Sequence, residues 1–208
     1  AREAVRLAKE NDFSHRLLSI NILDHPEVAE NSPRRCYYCK YRIFSLLQEL
    51  AEKEGYEAVM DGANSDDTKD YRPGREALKE LGALSPLEEI GFTKSEIRVA
   101  AKTLGLSNWQ KPASACLASR FPYGVPLRQE GLLRVEEGEE YLRSLGVGQA
   151  RLRDHHPVAR VEVLPADFPL IIQQKAEVVA ELRKIGYHYV CLDLEGYQTG
   201  GLNRQIRD

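Results

Sequence analysis

Cysteine is scarce in this 208-residue chain, which contains only four such residues. A secreted domain held together by disulfides normally carries more cysteines in a shorter chain. Two of the four, Cys36 and Cys39, form a Cys-x-x-Cys pattern, which is typical of metal or redox sites. The sequence therefore predicts a protein of a reducing compartment, the cytoplasm.

Long apolar runs and a charge excess of either sign are also lacking. No run approaches the roughly 18 apolar residues that a membrane-spanning helix needs. The net charge is −3, and Trp109 is the single tryptophan. A nearly balanced charge gives no general attraction for nucleic acid or for an acidic membrane surface. We therefore expect neither a membrane nor a nucleic acid among the partners of this chain.

Three of the cysteines, Cys36, Cys39 and Cys116, are candidates for chemistry. Thiols three residues apart can point at one centre, and the fold can bring a distant third thiol to it. Three thiolates are one ligand short of a closed zinc site. They can also hold three corners of an iron–sulfur cluster and leave the fourth iron open. Alternatively, they are small buried apolar residues, as cysteine often is. Cys191 lies in a strand-like run and is predicted to be a core residue.

The first part of the chain alternates strand-like and helix-like segments. Residues 15–23 and 58–62 are predicted strands, and residues 37–54 and 93–104 are predicted helices. This alternation is typical of a Rossmann-like α/β domain with a parallel, doubly wound sheet. In such sheets ligands bind beyond the carboxyl ends of the strands. We therefore expect a ligand edge at residues 61–67.

A change of pattern near Gly124 predicts two domains, residues 1–124 and residues 125–208. Residues 1–10 read as a helix without an N-cap, so we expect the first domain to continue upstream of Ala1. The second is predicted to be a smaller α+β domain with a partly antiparallel sheet. Its predicted elements are helix 130–145, strands 150–153 and 158–163, helix 166–185 and strand 187–193.

Arg151 and Arg153 are the clearest candidates for anion binding. Residues two apart on a strand share one face, so their charges would lie side by side. That arrangement is costly unless an anion lies between them, and phosphate is the natural candidate. The alternative is a solvated strand face. The acidic residues Asp66, Asp67 and Asp70 either form a solvated loop or hold Mg²⁺ and its phosphates.

Four motifs in order resemble the LarE family of ATP-dependent sulfur transferases, which belong to the PP-loop ATP pyrophosphatases. The resemblance covers nearly the whole chain. The motifs are Asp61-Gly62-x-x-x-x-Asp67-x-x-Asp70-Tyr71-Arg72-Pro73-Gly74, Asn108-Trp109-x-Lys111, Ser119-Arg120-Phe121-Pro122-Tyr123-Gly124 and Tyr141-Leu142-Arg143-Ser144-Leu145-Gly146. The Ser-Gly-Gly-x-Asp-Ser loop that grasps ATP in this family would lie upstream of Ala1.

The resemblance implies an activity and its cofactors. LarE-type proteins use ATP and Mg²⁺ to adenylate a carboxylate of pyridinium-3,5-biscarboxylate mononucleotide, and they convert it to a thiocarboxylate for the nickel-pincer nucleotide cofactor. Some members consume the sulfur of one cysteine. This chain resembles the three-cysteine branch, in which a [4Fe-4S] cluster carries an exchangeable sulfide from an external source. A Rossmann-like domain, a smaller second domain and a homodimer or homohexamer are also implied.

The resemblance also implies roles for individual residues. Cys36, Cys39 and Cys116 match the cluster ligands. Residues of the loop after strand 58–62 match nucleotide contacts, namely Asp61, Asn64, Asp67 and Arg72. Positions that bind phosphate or a divalent cation at a subunit junction are matched by Ser119, Glu139, Arg151 and Asp167, with Glu139 and Asp167 as the cation ligands. Strand geometry adds Arg153 to the phosphate site, and Arg120 follows Cys116 closely enough to join it.

Two other functions are compatible with the residues. A tRNA thiolase of the same superfamily would use the same ATP activation, but it should show a basic face with aromatic side chains for RNA. A zinc-stabilised binding module would need a fourth ligand near the three cysteines, such as His25 or Cys191. Iron–sulfur absorption would support either sulfur transferase, and stoichiometric zinc would support the binding module.

Overall fold

The chain is α/β and divides into two units. The computed structural model describes residues 2–69, 72–111, 115–198 and 200–202. The N-terminal unit comprises Ala1–Ile22 and Cys36–Ser114, and the C-terminal unit comprises Leu23–Arg35 and Ala115–Asp208. The predicted α/β class is thereby confirmed.

Helices provide most of the regular structure in the described residues. The helices are α1 (Arg2–Glu10), α2 (Pro26–Ala29), α3 (Arg35–Glu54), α4 (Gly74–Glu80), α5 (Pro86–Glu89), α6 (Lys94–Thr103), α7 (Gln129–Ser144), α8 (Phe168–Gln173) and α9 (Lys175–Lys184). The strands are β1 (Ala150–His155), β2 (Val158–Val163) and β3 (Tyr189–Leu192), and short 3-10 turns occupy Ile22–Asp24, Ser65–Lys69, Leu117–Arg120 and Pro165–Asp167. None of the described helices has both the length and the apolar character that crossing a membrane requires.

The N-terminal unit confirms the predicted helices more fully than the predicted strands. The spacing of Thr93 and Glu96 in the sequence predicts a capping box, and helix α6 begins with one. Each of the two side chains binds the other residue's backbone N–H. The strand predicted over residues 15–23 is wrong, because that stretch is irregular and largely exposed. A strand needs a hydrogen-bonded neighbour, and none pairs with this stretch within the described ranges.

The predicted strand 58–62 is reduced to one parallel bridge between Met60 and Leu84. Asp61 N donates to Leu84 O at 2.9 Å, and Leu84 N donates to Val59 O at 3.0 Å. The bridge has the parallel direction that was predicted. A Rossmann-like sheet in this unit nevertheless stays a prediction.

The C-terminal unit is built on a three-stranded sheet in the order β1-β2-β3. β1 and β2 pair antiparallel, and β2 and β3 pair parallel, so the predicted mixed sheet is confirmed. Helices α7 and α9 cover one face of it, with Leu142, Leu152 and Leu182 fully buried between them. A Cβ on Gly138 would lie 2.2 Å from Leu152 Cδ2, so glycine lets α7 rest directly against β1.

One helix differs from its sequence-based prediction. Helix 166–185 is interrupted at Gln174, whose ψ of 23° separates α8 from α9. Within the C-terminal unit, buried Asn31 binds the segment that follows Phe121, and the predicted domain boundary near Gly124 stays a prediction. The Asn31 amide donates to the carbonyl oxygens of Pro122 and Val125, at 2.8 and 3.0 Å.

Candidate functional site

Cys36 and Cys39 lie in the first turns of α3. Residues three apart on a helix lie on the same face, so the two thiols share one side of α3. Both residues are half-buried. Helix α4 approaches this turn closely, since a Cβ on Gly74 would lie 3.2 Å from the Cys36 carbonyl oxygen. The Cys-x-x-Cys pair is therefore carried by a packed helix rather than by a loop.

Cys116 is exposed and belongs to the C-terminal unit, whereas the pair belongs to the N-terminal unit. In the described part of the chain, no group of three or more His, Cys, Asp or Glu side chains has the arrangement of a metal site. The expected convergence of Cys116 with Cys36 and Cys39 thus stays a prediction. The donor chemistry suits an iron–sulfur cluster, because all three residues are unbridged thiols and two share a helix face.

The loop after Met60 brings the predicted nucleotide contacts together. Asp61 Oδ1 accepts from Ala63 N at 3.0 Å and from Ser85 Oγ at 2.8 Å, and Lys40 Nζ lies 3.4 Å from Oδ2. Farther along, Asn64 Nδ2 donates to Asp67 Oδ2 at 3.0 Å, and Arg72 Nη1 lies 2.7 Å from Asp67 Oδ1. The loop is thus tied internally. Its contact with ATP or Mg²⁺ stays a prediction, and Asp70 lies outside the described residues.

The turn that follows Cys116 is fixed by a buried ion pair. Arg120 and Glu139 are 3% and 2% exposed, and Arg120 donates from Nε and Nη2 to the two carboxylate oxygens at 2.7 and 2.9 Å. Arg120 Nη1 also donates to the Cys116 carbonyl oxygen at 3.1 Å, and Ser119 Oγ donates to it at 2.7 Å. Two side chains of the C-terminal unit, Arg120 and Ser119, therefore fix the carbonyl group of Cys116.

Both carboxylate oxygens of Glu139 accept hydrogen bonds. Besides Arg120, its Oε1 accepts from Leu152 N at 3.1 Å, which ties α7 to β1. A divalent cation at Glu139 would compete with Arg120 for the carboxylate. Asp167, the other predicted cation ligand, has a buried Oδ2 without a hydrogen-bond partner in the described residues. The cation role of these two residues stays a prediction.

Arg153 shares a strand face with Arg151 but has its own counter-charge. Its Nε and Nη2 donate to the two oxygens of Glu162, both at 2.8 Å, and its Nη1 donates to Ser119 O at 2.7 Å. Arg160 Nη2 also donates to Glu162 Oε1, at 3.0 Å. A carboxylate of the chain therefore balances the charge of Arg153, which was expected to need an external anion.

Arg151, unlike Arg120 and Arg153, has no carboxylate partner among the described residues. It is 8% exposed, and no carboxylate of the described ranges lies within ion-pair distance of it. Burial, followed by the nearby charge of Arg120, lowers the pKa of Arg151 from its ordinary value; Arg153 adds to this, and Glu139 and Tyr197 oppose it. A buried guanidinium without a carboxylate at ion-pair distance attracts an anion, since burying an unpaired charge is costly. Phosphate at Arg151 stays a prediction that this burial supports.

A cleft of about 330 Å³ opens beside these ion pairs in the C-terminal unit. Among its lining residues are Arg120, Arg153, His155, Arg160 and Asp193. Sequence reasoning did not assign Glu162, His155 or Tyr197 to the site. Glu162 could have been found from the hairpin register, which places it opposite Arg151. No sequence pattern indicates Tyr197, whose ring lies 5.2 Å from the Arg151 guanidinium.

The surroundings of His155 make the stability of the folded chain depend on pH. Burial, followed by the charge of Arg160, lowers the pKa of His155; Arg153 adds to this, and Asp154 and Glu162 oppose it. The unfolded chain then binds a proton more readily than the folded one. The contribution of neutral His155 to the free energy of unfolding is therefore fully present above the ordinary histidine pKa. It is lost as the pH falls through the lowered pKa of the folded state.

Thermal melts between neutral pH and about pH 5 measure this effect. We expect the melting temperature of the wild type to fall over this range, and His155→Gln to reduce the fall. His188→Gln is the control and should keep the dependence of the wild type. A His155→Gln protein whose melting temperature changes with pH as much as that of the wild type would exclude the assignment.

No family model matches the chain, but three curated proteins do. It is 45% identical over 196 residues to an uncharacterized protein of Synechocystis, covering 93% of this chain and 73% of that protein. It is 38% identical over 201 residues to the pyridinium-3,5-bisthiocarboxylic acid mononucleotide synthase of Lactiplantibacillus plantarum, and the match covers 97% of this chain and 73% of that protein. An uncharacterized protein of Methanocaldococcus jannaschii is 34% identical over 182 residues, and the match covers 88% of this chain and 71% of that protein. These identities and coverages show that the chain belongs to the family of pyridinium-3,5-bisthiocarboxylic acid mononucleotide synthases, the LarE family.

Proposed function

We propose that this protein transfers sulfur to a carboxylate of pyridinium-3,5-biscarboxylate mononucleotide and so produces a thiocarboxylate. The name of the Lactiplantibacillus relative supports this substrate class. The observation that carries the proposal is the arrangement around Cys116. Arg120 and Ser119 hold the backbone of this exposed cysteine, and Arg153 binds the same turn two residues from Arg151, a buried cation suited to phosphate.

The proposed chemistry has two steps. A carboxylate oxygen of the mononucleotide attacks the α-phosphorus of ATP, which forms an acyl-adenylate and releases pyrophosphate. A sulfur nucleophile then attacks the activated carbonyl carbon and displaces AMP, so the original oxygen leaves with AMP and sulfur remains on carbon. Asp61, Asn64, Asp67 and Arg72 are proposed to bind ATP and Mg²⁺, since carboxylates suit Mg²⁺ and arginine suits phosphate.

Cys36, Cys39 and Cys116 are proposed to hold a [4Fe-4S] cluster. Thiolates are the ligands of such clusters, and three of them leave one iron without a protein ligand. When bound, the cluster would supply an exchangeable site for the sulfur that is transferred. Arg120 and Ser119 fix the Cys116 carbonyl oxygen and thereby restrict where the third thiol can lie.

Mass spectrometry of the small-molecule products tests this function. The reconstituted protein is incubated without oxygen with ATP, Mg²⁺, sulfide and the mononucleotide. We expect a thiocarboxylate together with equal amounts of AMP and pyrophosphate. Omitting ATP is the control and should abolish the product. Thiocarboxylate formed without AMP, or AMP formed without thiocarboxylate, would contradict the proposed sequence of steps.

Arg151→Ala tests the proposed phosphate contact. Hydrogen bonds to charged groups contribute about 1.5–3 kcal/mol each, so losing one should raise KM for the mononucleotide by roughly ten- to a hundredfold. The loss should be largest at low salt, where charges are least screened. Arg183→Ala removes the same charge from an exposed helix position and is the control. A KM for Arg151→Ala equal to that of the control at every salt concentration would contradict the proposed phosphate contact.

A further inference from the structure

The donors of the Arg151 guanidinium are partly occupied by its own neighbours. Nη1 donates to the Ala150 carbonyl oxygen at 2.8 Å. With the Gln149 amide turned so that its oxygen faces the guanidinium, that oxygen accepts from Nη1 and from Nη2, both at 2.9 Å. Gln149 thus covers the end of the guanidinium group, and Ala150 covers the remaining hydrogen of Nη1.

Two donors are left, and they lie on one edge. Nε–H and the outer hydrogen of Nη2 are parallel, and the described residues offer them no acceptor. Such a pair matches two oxygens of a phosphate or carboxylate in a bidentate contact. Arg120 and Arg153 use the equivalent edge, Nε with Nη2, to bind Glu139 and Glu162.

Tyr197 fixes the plane of this guanidinium group. Its ring centroid lies 5.2 Å from Arg151 Cζ, which is within the range of a cation–π contact. A turn places it there: Gly196 N donates to Asp193 O at 3.0 Å, and Tyr197 N donates to Val163 O at 2.8 Å. Gly196 has a φ of +70°, and a Cβ on it would lie 2.7 Å from Val163 O, so this turn requires glycine.

We propose that Gln149 and Tyr197 are positioning residues, which present the Nε–Nη2 edge of Arg151 to the phosphate of the mononucleotide. The inference rests on the proposed function for the identity of the anion. Gln149 holds the far end of the guanidinium group and Tyr197 holds its face, so neither needs to touch the ligand. Gln149 is neutral, and the Nε–Nη2 edge that binds glutamate in Arg120 and Arg153 is open in Arg151. The Arg151 charge therefore stays available.

Titration with inorganic phosphate, followed by calorimetry, tests this inference without any sulfur chemistry. Gln149→Glu should pair with Arg151 and weaken phosphate binding by at least about tenfold. Tyr197→Leu should weaken it by about three- to tenfold, because the cation–π contact is lost. Tyr197→Phe keeps the ring and should bind phosphate as the wild type does. Arg151→Lys keeps the positive charge but loses the pair of parallel N–H donors, so it should bind phosphate more weakly than the wild type does.

Kinetics and melting temperatures separate positioning from damage to the fold. Gln149→Glu and Tyr197→Leu should raise KM for the mononucleotide with little change in kcat, and their melting temperatures should stay near that of Tyr197→Phe. Equal phosphate affinity in Tyr197→Leu and Tyr197→Phe, or in Gln149→Glu and the wild type, would overturn the proposal. So would a wild type that does not bind phosphate. If phosphate binding follows the expected order but no thiocarboxylate forms, the proposed function fails and the inference about Arg151 stands.

Discussion

Glu139→Ala is expected to lower the free energy of unfolding by about 3–5 kcal/mol, the usual loss when one partner of a buried ion pair is removed. The variant would leave the Arg120 guanidinium buried without its carboxylate and Leu152 N without its side-chain acceptor. Urea denaturation measures the change, provided that the dependence on denaturant stays the same. Glu181→Ala is the control, because its ion pair with Lys184 is largely exposed and should be worth less than about 1 kcal/mol.

Removing both charges distinguishes the cost of an unpaired charge from the value of the pair. Arg120→Met with Glu139→Leu should recover much of the stability that Glu139→Ala loses, since apolar side chains often replace a buried pair without large cost. The double variant should still transfer sulfur poorly, because Arg120 no longer binds the Cys116 carbonyl oxygen. A loss in Glu139→Ala no greater than in the exposed control would contradict the role given to this pair.

Replacing any one of Cys36, Cys39 and Cys116 by alanine is expected to abolish multiple turnover and to remove most of the bound iron. Two thiolates hold a four-iron cluster poorly, so all three positions should give the same result. Iron analysis and absorption spectra after anaerobic reconstitution measure the binding. Cys191→Ala is the matched control, since this cysteine is exposed at the end of β3 and should keep both iron and activity.

Two outcomes would contradict the three-cysteine cluster. A colourless wild type with one zinc per chain would indicate a zinc site instead. Loss of iron in Cys191→Ala to the same extent as in Cys116→Ala would show that the iron is held by a different set of thiols.

Local patterns predicted the elements whose stability depends on nearby residues. The capping box at Thr93 and Glu96 marked the start of α6, and alternating side chains marked both strands of the β1–β2 hairpin. The strand predicted over residues 15–23 is wrong because its apolar alternation says nothing about a pairing neighbour. The core position predicted for Cys191 was also wrong, because this residue is exposed on β3.

The ion pairs of the site differ in how well the sequence indicates them. The hairpin register places Glu162 opposite Arg151 and diagonal to Arg153, so it indicates that Glu162 lies near both, although Arg153 is the one that binds it. Arg120 and Glu139 are 19 residues apart on a turn and a helix, and tertiary packing brings them together, including the close approach of α7 at Gly131 to Phe121. The contact of Tyr197 with Arg151 depends on a turn at Gly196, and no sequence motif predicts this turn. Sequence therefore indicated the residue types of the site better than their partners.

The number of thiocarboxylates formed per chain, measured together with the intact mass of the protein, tests the proposed sulfur transfer most directly. A lone cysteine that gives up its own sulfur can deliver one sulfur atom and becomes dehydroalanine. A protein that receives sulfur from sulfide can deliver many and keeps its cysteines. We expect more than one thiocarboxylate per chain in the presence of ATP, Mg²⁺ and sulfide, with Cys116 unchanged in mass. A single product per chain, with Cys116 converted to dehydroalanine, would show that Cys116 is the sulfur donor and would contradict the cluster.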